Sequence, residues 1–124
     1  MTEKEIIDIG AAKAGPYSLG LKAGNLIFVS GQVMEPGASG IKEQTITALE
    51  KIKKIIEAAG ATVSDIVKIT VYLKNMSDFK EMNSVYKGFF DKNGITGNYP
   101  TRTTIEAVCP LPNGLVEIDA IAVI

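Results

Sequence analysis

Arg102 is the only arginine among 124 residues; the other twelve of the thirteen basic residues are lysine. A guanidinium is a planar, permanently charged fork that meets a carboxylate through two parallel hydrogen bonds, which an ammonium cannot do. In Pro100-Thr101-Arg102-Thr103-Thr104 it points to recognition of a planar anion; the plainer alternative is one more half-exposed strand cation. Acids follow in the same C-terminal stretch: Glu106, then Glu117 and Asp119 in Leu115-Val116-Glu117-Ile118-Asp119-Ala120-Ile121. A carboxylate beside a bound electrophile orients or deprotonates water. Histidine is absent, which removes Ser-His-Asp and Cys-His catalysis and His-ligated metals. Any chemistry therefore runs on Arg, Lys, carboxylates, Tyr, hydroxyls, backbone groups or water.

Two β-prone runs have to position these groups. Thr101 to Val108 and Leu115 to Val123 are rich in β-branched residues, and Cys109-Pro110-Leu111-Pro112-Asn113-Gly114 between them is turn chemistry. The pattern predicts an antiparallel pair with Val108 opposite Leu115. Arg102, Thr104 and Glu106 then share a face with Glu117, Asp119 and Ile121, while Thr103, Ile105, Ala107, Val116, Ile118, Ala120 and Ala122 line a core face. A one-residue slip or a bulge near Pro110 would undo that arrangement.

The rest of the chain supplies a scaffold. Ile6 to Ile9 reads as a short strand, Gly15-Pro16-Tyr17-Ser18 as a turn presenting Tyr17, and Ser18 to Leu21 as a brief strand before the turn Lys22 to Asn25. Leu26 to Val33 is a strand whose apolar run stops at Ser30-Gly31, marking either a close approach to the backbone or a bulge. Ile41 to Ala59 is an amphipathic helix with Ile46, Leu49, Ile52, Ile55, Ile56 and Ala59 on one stripe, Gly60 as its stop, and Glu50–Lys54 pairing on the wet side. Ile66 to Lys74 is a strand. Ser77 is expected to cap a second helix, with Asp78 in its first turn. Its stripe is Phe79, Met82, Val85, Tyr86, Phe89 and Phe90, core before ligand box, with Asn83 off its centre and Asn93-Gly94 at its end. Two helices cover one face of a sheet and leave the other open. A face carrying Arg102, Thr104 and Glu117 is too polar for a core, so it is expected to meet another subunit.

Composition sets the outer bounds. The length suits one domain, 1–124. The net charge is −1, the pI about 5.4 and the mean hydropathy +0.18, which gives no electrostatic footprint for nucleic acid. One cysteine excludes an intrachain disulfide framework, the opening residues are no signal peptide, and no apolar run reaches membrane-spanning length. A cytoplasmic location is the expectation.

Gly15-Pro16-Tyr17, Val29-Ser30-Gly31-Gln32, Glu57-Ala58-Ala59-Gly60, Asp65-Ile66-Val67-Lys68, Pro100-Thr101-Arg102 and Leu115-Val116-Glu117-Ile118 together resemble the RidA/YjgF family. These are reactive-intermediate deaminases, formerly described as translation initiation inhibitors or perchloric-acid-soluble ribonuclease homologues. The resemblance runs through nearly the whole chain in order. It implies a chorismate-mutase-like α+β fold, a mixed sheet with two helices on one face, in a homotrimer with clefts between subunits. It also implies cofactor-free and metal-free hydrolysis of 2-imino acids, tautomers of the 2-aminoacrylate and 2-aminocrotonate released by pyridoxal-phosphate-dependent dehydratases, to 2-oxo acids and ammonia. On this resemblance Arg102 grips the substrate carboxylate and Glu117, kept ionised by nearby positive charge, positions water. Tyr17 and Ser30 line the cleft, backbone groups of Gly31 and Thr104 hold the imine nitrogen, and Asn83 is a nearby polar residue. Thr104 stands where many members carry cysteine, and Cys109 lies elsewhere, so a thiol nucleophile is not expected. Cys109 is read as a packing or turn residue.

Two other classes fit parts of the pattern. A non-catalytic small-acid sensor or stress chaperone would use the same clefts. An endoribonuclease or translation inhibitor would need an RNA-cleaving site, for which a chain with no His, one Arg and an acidic pI is poorly supplied.

Overall fold

A computed structural model describes residues 3–124. Six strands and two helices follow one another as Lys4–Ile7 (β1), Gly20–Ala23 (β2), Leu26–Gln32 (β3), Gly40–Ala58 (α1), Ile66–Leu73 (β4), Phe79–Lys92 (α2), Thr101–Glu106 (β5) and Val116–Val123 (β6), with 3₁₀ turns at Val63–Asp65 and Met76–Asp78. The strands form one mixed sheet in the order β1-β2-β3-β6-β4-β5. Both helices pack on one face, which makes an α+β fold of the expected kind.

The core follows from alternation. Ile27 and Val29 of β3, Ile69, Val71 and Leu73 of β4, and Val116, Ile118, Ala120 and Ala122 of β6 are all buried. They form one cluster with Ala48, Leu49, Ile52, Ile55 and Ile56 of α1 and Met82, Phe89 and Phe90 of α2. Every second residue of a strand faces the same way, so this set defines the helix side of the sheet. Gly60, at φ +89°, closes α1 by donating its N–H to the Glu57 carbonyl at 3.0 Å, the left-handed stop that its type allows. Gly24, at φ +61°, turns β2 into β3.

The C-terminal hairpin does not form. β5 lies parallel to β4, with Ile69 opposite Arg102 and Val71 opposite Thr104. β6 runs antiparallel to both β3 and β4, so β4 separates β5 from β6. The cause is the connection before β5. α2 carries the chain back along the sheet, and a strand–helix–strand unit delivers its second strand parallel to its first. The segment from 107 to 115 is then long enough to cross β4. Buried Gln44 of α1 fixes where it lands, donating from Nε2 to the Asn113 carbonyl at 3.0 Å and accepting the Leu115 N–H on Oε1 at 2.7 Å. The expected faces change with it. Val116, Ile118, Ala120 and Ala122 are core as expected, but Thr103 and Ile105 are exposed, and the side of β5 toward the helices carries Arg102 and Thr104.

Smaller differences have local causes. Ser77 lies inside the Met76–Asp78 3₁₀ turn and does not cap α2; Asp78 takes that position without a side-chain hydrogen bond. Glu50 and Lys54 form no ion pair; Lys51 reaches Glu35 at 4.0 Å instead, and Lys87 pairs with Asp91 at 2.6 Å, four residues apart on α2. The first strand ends at Ile7, and β2 begins at Gly20. The opposite face of the sheet is open. Register places Ile6, Leu21, Phe28 and Ile121 side by side across β1, β2, β3 and β6 on that face, with Ile6 49% and Phe28 39% exposed.

Candidate active site

The expected site residues fall into two groups on opposite faces of the sheet. On the open face, β3 breaks register between Val29 and Gln32, so Ser30 and Gly31 sit in a bulge. Both readings of that stretch hold together: the backbone bulges, and something approaches it. The Ser30 hydroxyl donates to the Ser18 carbonyl at 2.6 Å and its N–H to the Leu19 carbonyl at 2.9 Å, which ties the bulge to the turn presenting Tyr17. Tyr17 is 42% exposed. The Glu117 carboxylate lies against Gly31: a methyl group there would meet Glu117 Cδ at 2.7 Å. Only glycine leaves the acid that position. Tyr17, Ser30, Gly31 and Glu117 thus form one half.

Two neighbours shape Glu117. Asp119 follows it on the same side of β6, and Tyr72 is its partner across β4. The Tyr72 hydroxyl donates to Asp119 Oδ2 at 3.1 Å. Burial, and then the negative charge of Asp119, push the Glu117 carboxyl above its usual range. The expected positive neighbour is not supplied by the same chain, because Arg102 stands on the other face. Cys109 follows β5 half-buried, packs beside Gly114 and has its thiol pushed up by burial and then by the Glu117 charge. That is the environment of an inert thiol in a turn.

The second half lies on the helix side. Arg102 projects from edge strand β5 beneath α2, whose Phe79, Asn83 and Tyr86 stand at i, i+4 and i+7 and so share a face. The guanidinium carbon is 4.7 Å from the Tyr86 ring centre and 5.7 Å from that of Phe79. A cavity of about 500 Å³ is lined by Asn83, Tyr86, Lys87, Tyr99, Pro100 and Arg102. Asn83 Oδ1, Tyr86 Oη and Thr104 Oγ1 are buried without hydrogen-bond partners. Burial pushes the Tyr86 phenol up to about 12 against the opposing influence of Arg102. At the rim, Asp91 accepts from Lys87 at 2.6 Å and from the Tyr99 hydroxyl at 2.8 Å. No carboxylate among the described residues lies within ion-pair distance of Arg102. A half-buried cation with its fork free is equipped to take an anion from outside the chain.

Sequence reasoning placed Phe79 and Tyr86 in the core stripe and missed their contact with Arg102; their seven-residue spacing about Asn83 was the available signal. It gave Asp119 and Tyr72 no role beside Glu117. Among the described residues no three of His, Cys, Asp and Glu gather as metal ligands, and no helix is long and apolar enough to cross a membrane.

Comparison with known proteins brings these residues under one heading. The family model described as endoribonuclease L-PSP matches residues 9–124. A 2-iminobutanoate/2-iminopropanoate deaminase of Salmonella typhimurium is 40% identical over 118 residues, 90% of each chain. This chain belongs to the RidA/YjgF family. A RutC family protein of Pyrococcus horikoshii is 45% identical over 115 residues, 87% of this chain and 86% of that one. The crystal structure of TdcF from Escherichia coli with bound serine superimposes with a TM-score of 0.88 at 36% identity, covering 96% of this chain and 98% of that one. The Escherichia coli YjgF gene product gives a TM-score of 0.79 at 35% identity, with 96% and 92% covered. As a RidA/YjgF chain, this one carries Arg102 and Glu117 on two surfaces that a single copy cannot bring together. They are two strand positions apart and on opposite faces of the sheet.

Proposed function

We propose that this protein hydrolyses 2-imino acids to 2-oxo acids and ammonia, in a homotrimer whose clefts join the Arg102 half of one protomer to the Glu117 half of the next. The observation carrying this reading is the division of the site. One surface offers a half-buried guanidinium with no internal anion, and another offers a half-buried acid against a glycine bulge; each lacks what the other has. The open sheet face beside Glu117 is apolar along Ile6, Leu21, Phe28 and Ile121, as a surface covered by another copy would be. Relatives named as imine deaminases, and a relative crystallised with serine, support a small amino- or imino-carboxylate as the ligand.

In this reading Arg102 holds the substrate carboxylate through two charge-assisted hydrogen bonds, contributing about 1.5–3 kcal/mol each. Carbonyl oxygens at Gly31 and Thr104 accept from the iminium N–H groups and favour the protonated, electrophilic form. β5 is an edge strand, so one row of its backbone groups has no partner within the chain. Tyr17, Ser30 and Asn83 line the cleft. Glu117 takes a proton from water as the water oxygen bonds to C2, giving a tetrahedral carbinolamine. That proton passes to the nitrogen, and Glu117 then takes the carbinolamine hydroxyl proton as the C–N bond breaks, which releases ammonia and leaves a 2-oxo acid. The protein's contribution is positional and electrostatic. The neighbour's Arg102 supplies the positive charge that offsets the upward push on Glu117.

Subunit mixing tests the whole reading. Arg102→Gln and Glu117→Gln chains are each expected to be inactive on imine generated by a dehydratase. Unfolded together and refolded at equal amounts, they would recover about a quarter of the wild-type rate, because clefts built from two chains then include intact ones. No recovery would place both groups in one protomer or neither in the chemistry. The sensor and chaperone readings require 2-oxo acid binding without release of ammonia. The endoribonuclease reading requires RNA cleavage that is lost in Glu117→Gln.

A further inference from the structure

Arg102 is held in a way that no acid could reproduce. A half-buried cation often rests on a carboxylate, which would neutralise it and occupy its donors. Here the guanidinium lies 4.7 Å from the centre of the Tyr86 ring and 5.7 Å from that of Phe79. Aromatic faces attract a cation through their quadrupole and use none of its N–H groups. Tyr86 is 5% exposed and its hydroxyl has no partner, so the ring is fixed by packing and not by hydrogen bonding. Tyr86 also meets Phe90 at 4.8 Å between ring centres, and Phe90 meets Phe89 at 5.3 Å. The rings beneath Arg102 therefore continue into the rigid core of α2.

We propose that Tyr86 and Phe79 are positioning residues: their rings hold the Arg102 guanidinium so that its N–H fork faces the cavity, free for a planar carboxylate. The inference rests on the carboxylate-binding role given to Arg102 in the deaminase reading. Neither ring touches the reacting atoms; each acts through Arg102. The ring and not the hydroxyl is the working part of Tyr86, and Phe79 contributes less because it is farther away.

The test combines calorimetric binding of pyruvate with steady-state imine hydrolysis in wild type, Tyr86→Phe, Tyr86→Leu, Phe79→Leu and Arg102→Gln. Tyr86→Phe is expected to stay within about twofold of wild type, whereas Tyr86→Leu raises both the pyruvate Kd and KM about tenfold with kcat changed less than about threefold. Phe79→Leu raises them about threefold. Arg102→Gln removes binding. Phe79 is only partly buried, so its leucine variant carries the test if Tyr86→Leu fails to fold. Wild-type affinity in both leucine variants, or a Tyr86→Phe defect as large as that of Tyr86→Leu, overturns the clamp. So does a wild-type protein that binds no pyruvate. Pyruvate binding that needs Arg102 and weakens in the leucine variants, in a protein that hydrolyses no imine, would remove the deaminase reading and uphold the clamp.

Discussion

Arg102 and Glu117 differ in what their surroundings do to them. Arg102 keeps its charge among aromatic rings with its donors free. Glu117 is made a stronger base by burial and by Asp119. Replacing Arg102 by Lys keeps the charge and loses the fork, so kcat/KM is expected to fall by very roughly 2–4 kcal/mol in transition-state terms. Turnover at the wild-type level would remove Arg102 from the site. Asp119 bears on the pH profile. Its negative charge raises the Glu117 carboxyl, and protonated Glu117 cannot accept a proton from water, so activity falls on the acid side. Asp119→Asn withdraws that charge, lowers the Glu117 pKa and moves the acid limb of kcat/KM to lower pH. An unmoved limb would mean that the limb belongs to another group.

The β3 bulge and the α2 face are the elements that place these side chains. The bulge turns Ser30 and Gly31 toward Glu117, and the glycine is required by space: its φ is not in the left-handed region, yet the carboxylate occupies the position of a side chain. Gly31→Ala is therefore expected to displace Glu117 while the strand stays folded. Overpacking of about 1–3 kcal/mol would fall on the carboxylate's position, with kcat/KM reduced at least about tenfold and a melting point only slightly lower. Full activity with an unchanged melting point would show that the acid has room to spare. The bulge was legible as a change of character at Ser30-Gly31. The α2 face was legible as a stripe, but a stripe does not say which strand lies under it.

At the scale of the molecule, the sheet has a covered face and an open one, and the apolar row on the open face is the feature that a lone chain leaves unexplained. Phe28→Asp places a charge in the middle of that row. The expected outcome is a smaller assembly in sedimentation, an unchanged circular dichroism spectrum and loss of imine hydrolysis, because each proposed cleft takes its groups from two protomers. Retention of the wild-type assembly would move the interface elsewhere. The open face was anticipated from two amphipathic helices, which can cover only one side of a sheet. The position of Arg102 was not anticipated, since it depends on which strand β5 pairs with.

The sequence alone determined the two helices, the main strands, the inward residues of β6, a change of character at Ser30-Gly31 and a short list of groups with chemical use. These are local properties: hydrophobic period, glycine, and residue types that no packing role requires. Tertiary structure alone decided that β5 joins β4 in parallel, and so that Arg102 and Glu117 look out from opposite sides. The alternation Thr101-Arg102-Thr103-Thr104-Ile105-Glu106 sets Thr, Thr and Ile on one face and Arg, Thr and Glu on the other, which pointed the less polar face inward, whereas Arg102 and Thr104 turn toward the helices. That choice came from the return path through α2 and the Gln44 anchor near the start of β6, contacts made between residues far apart in the chain.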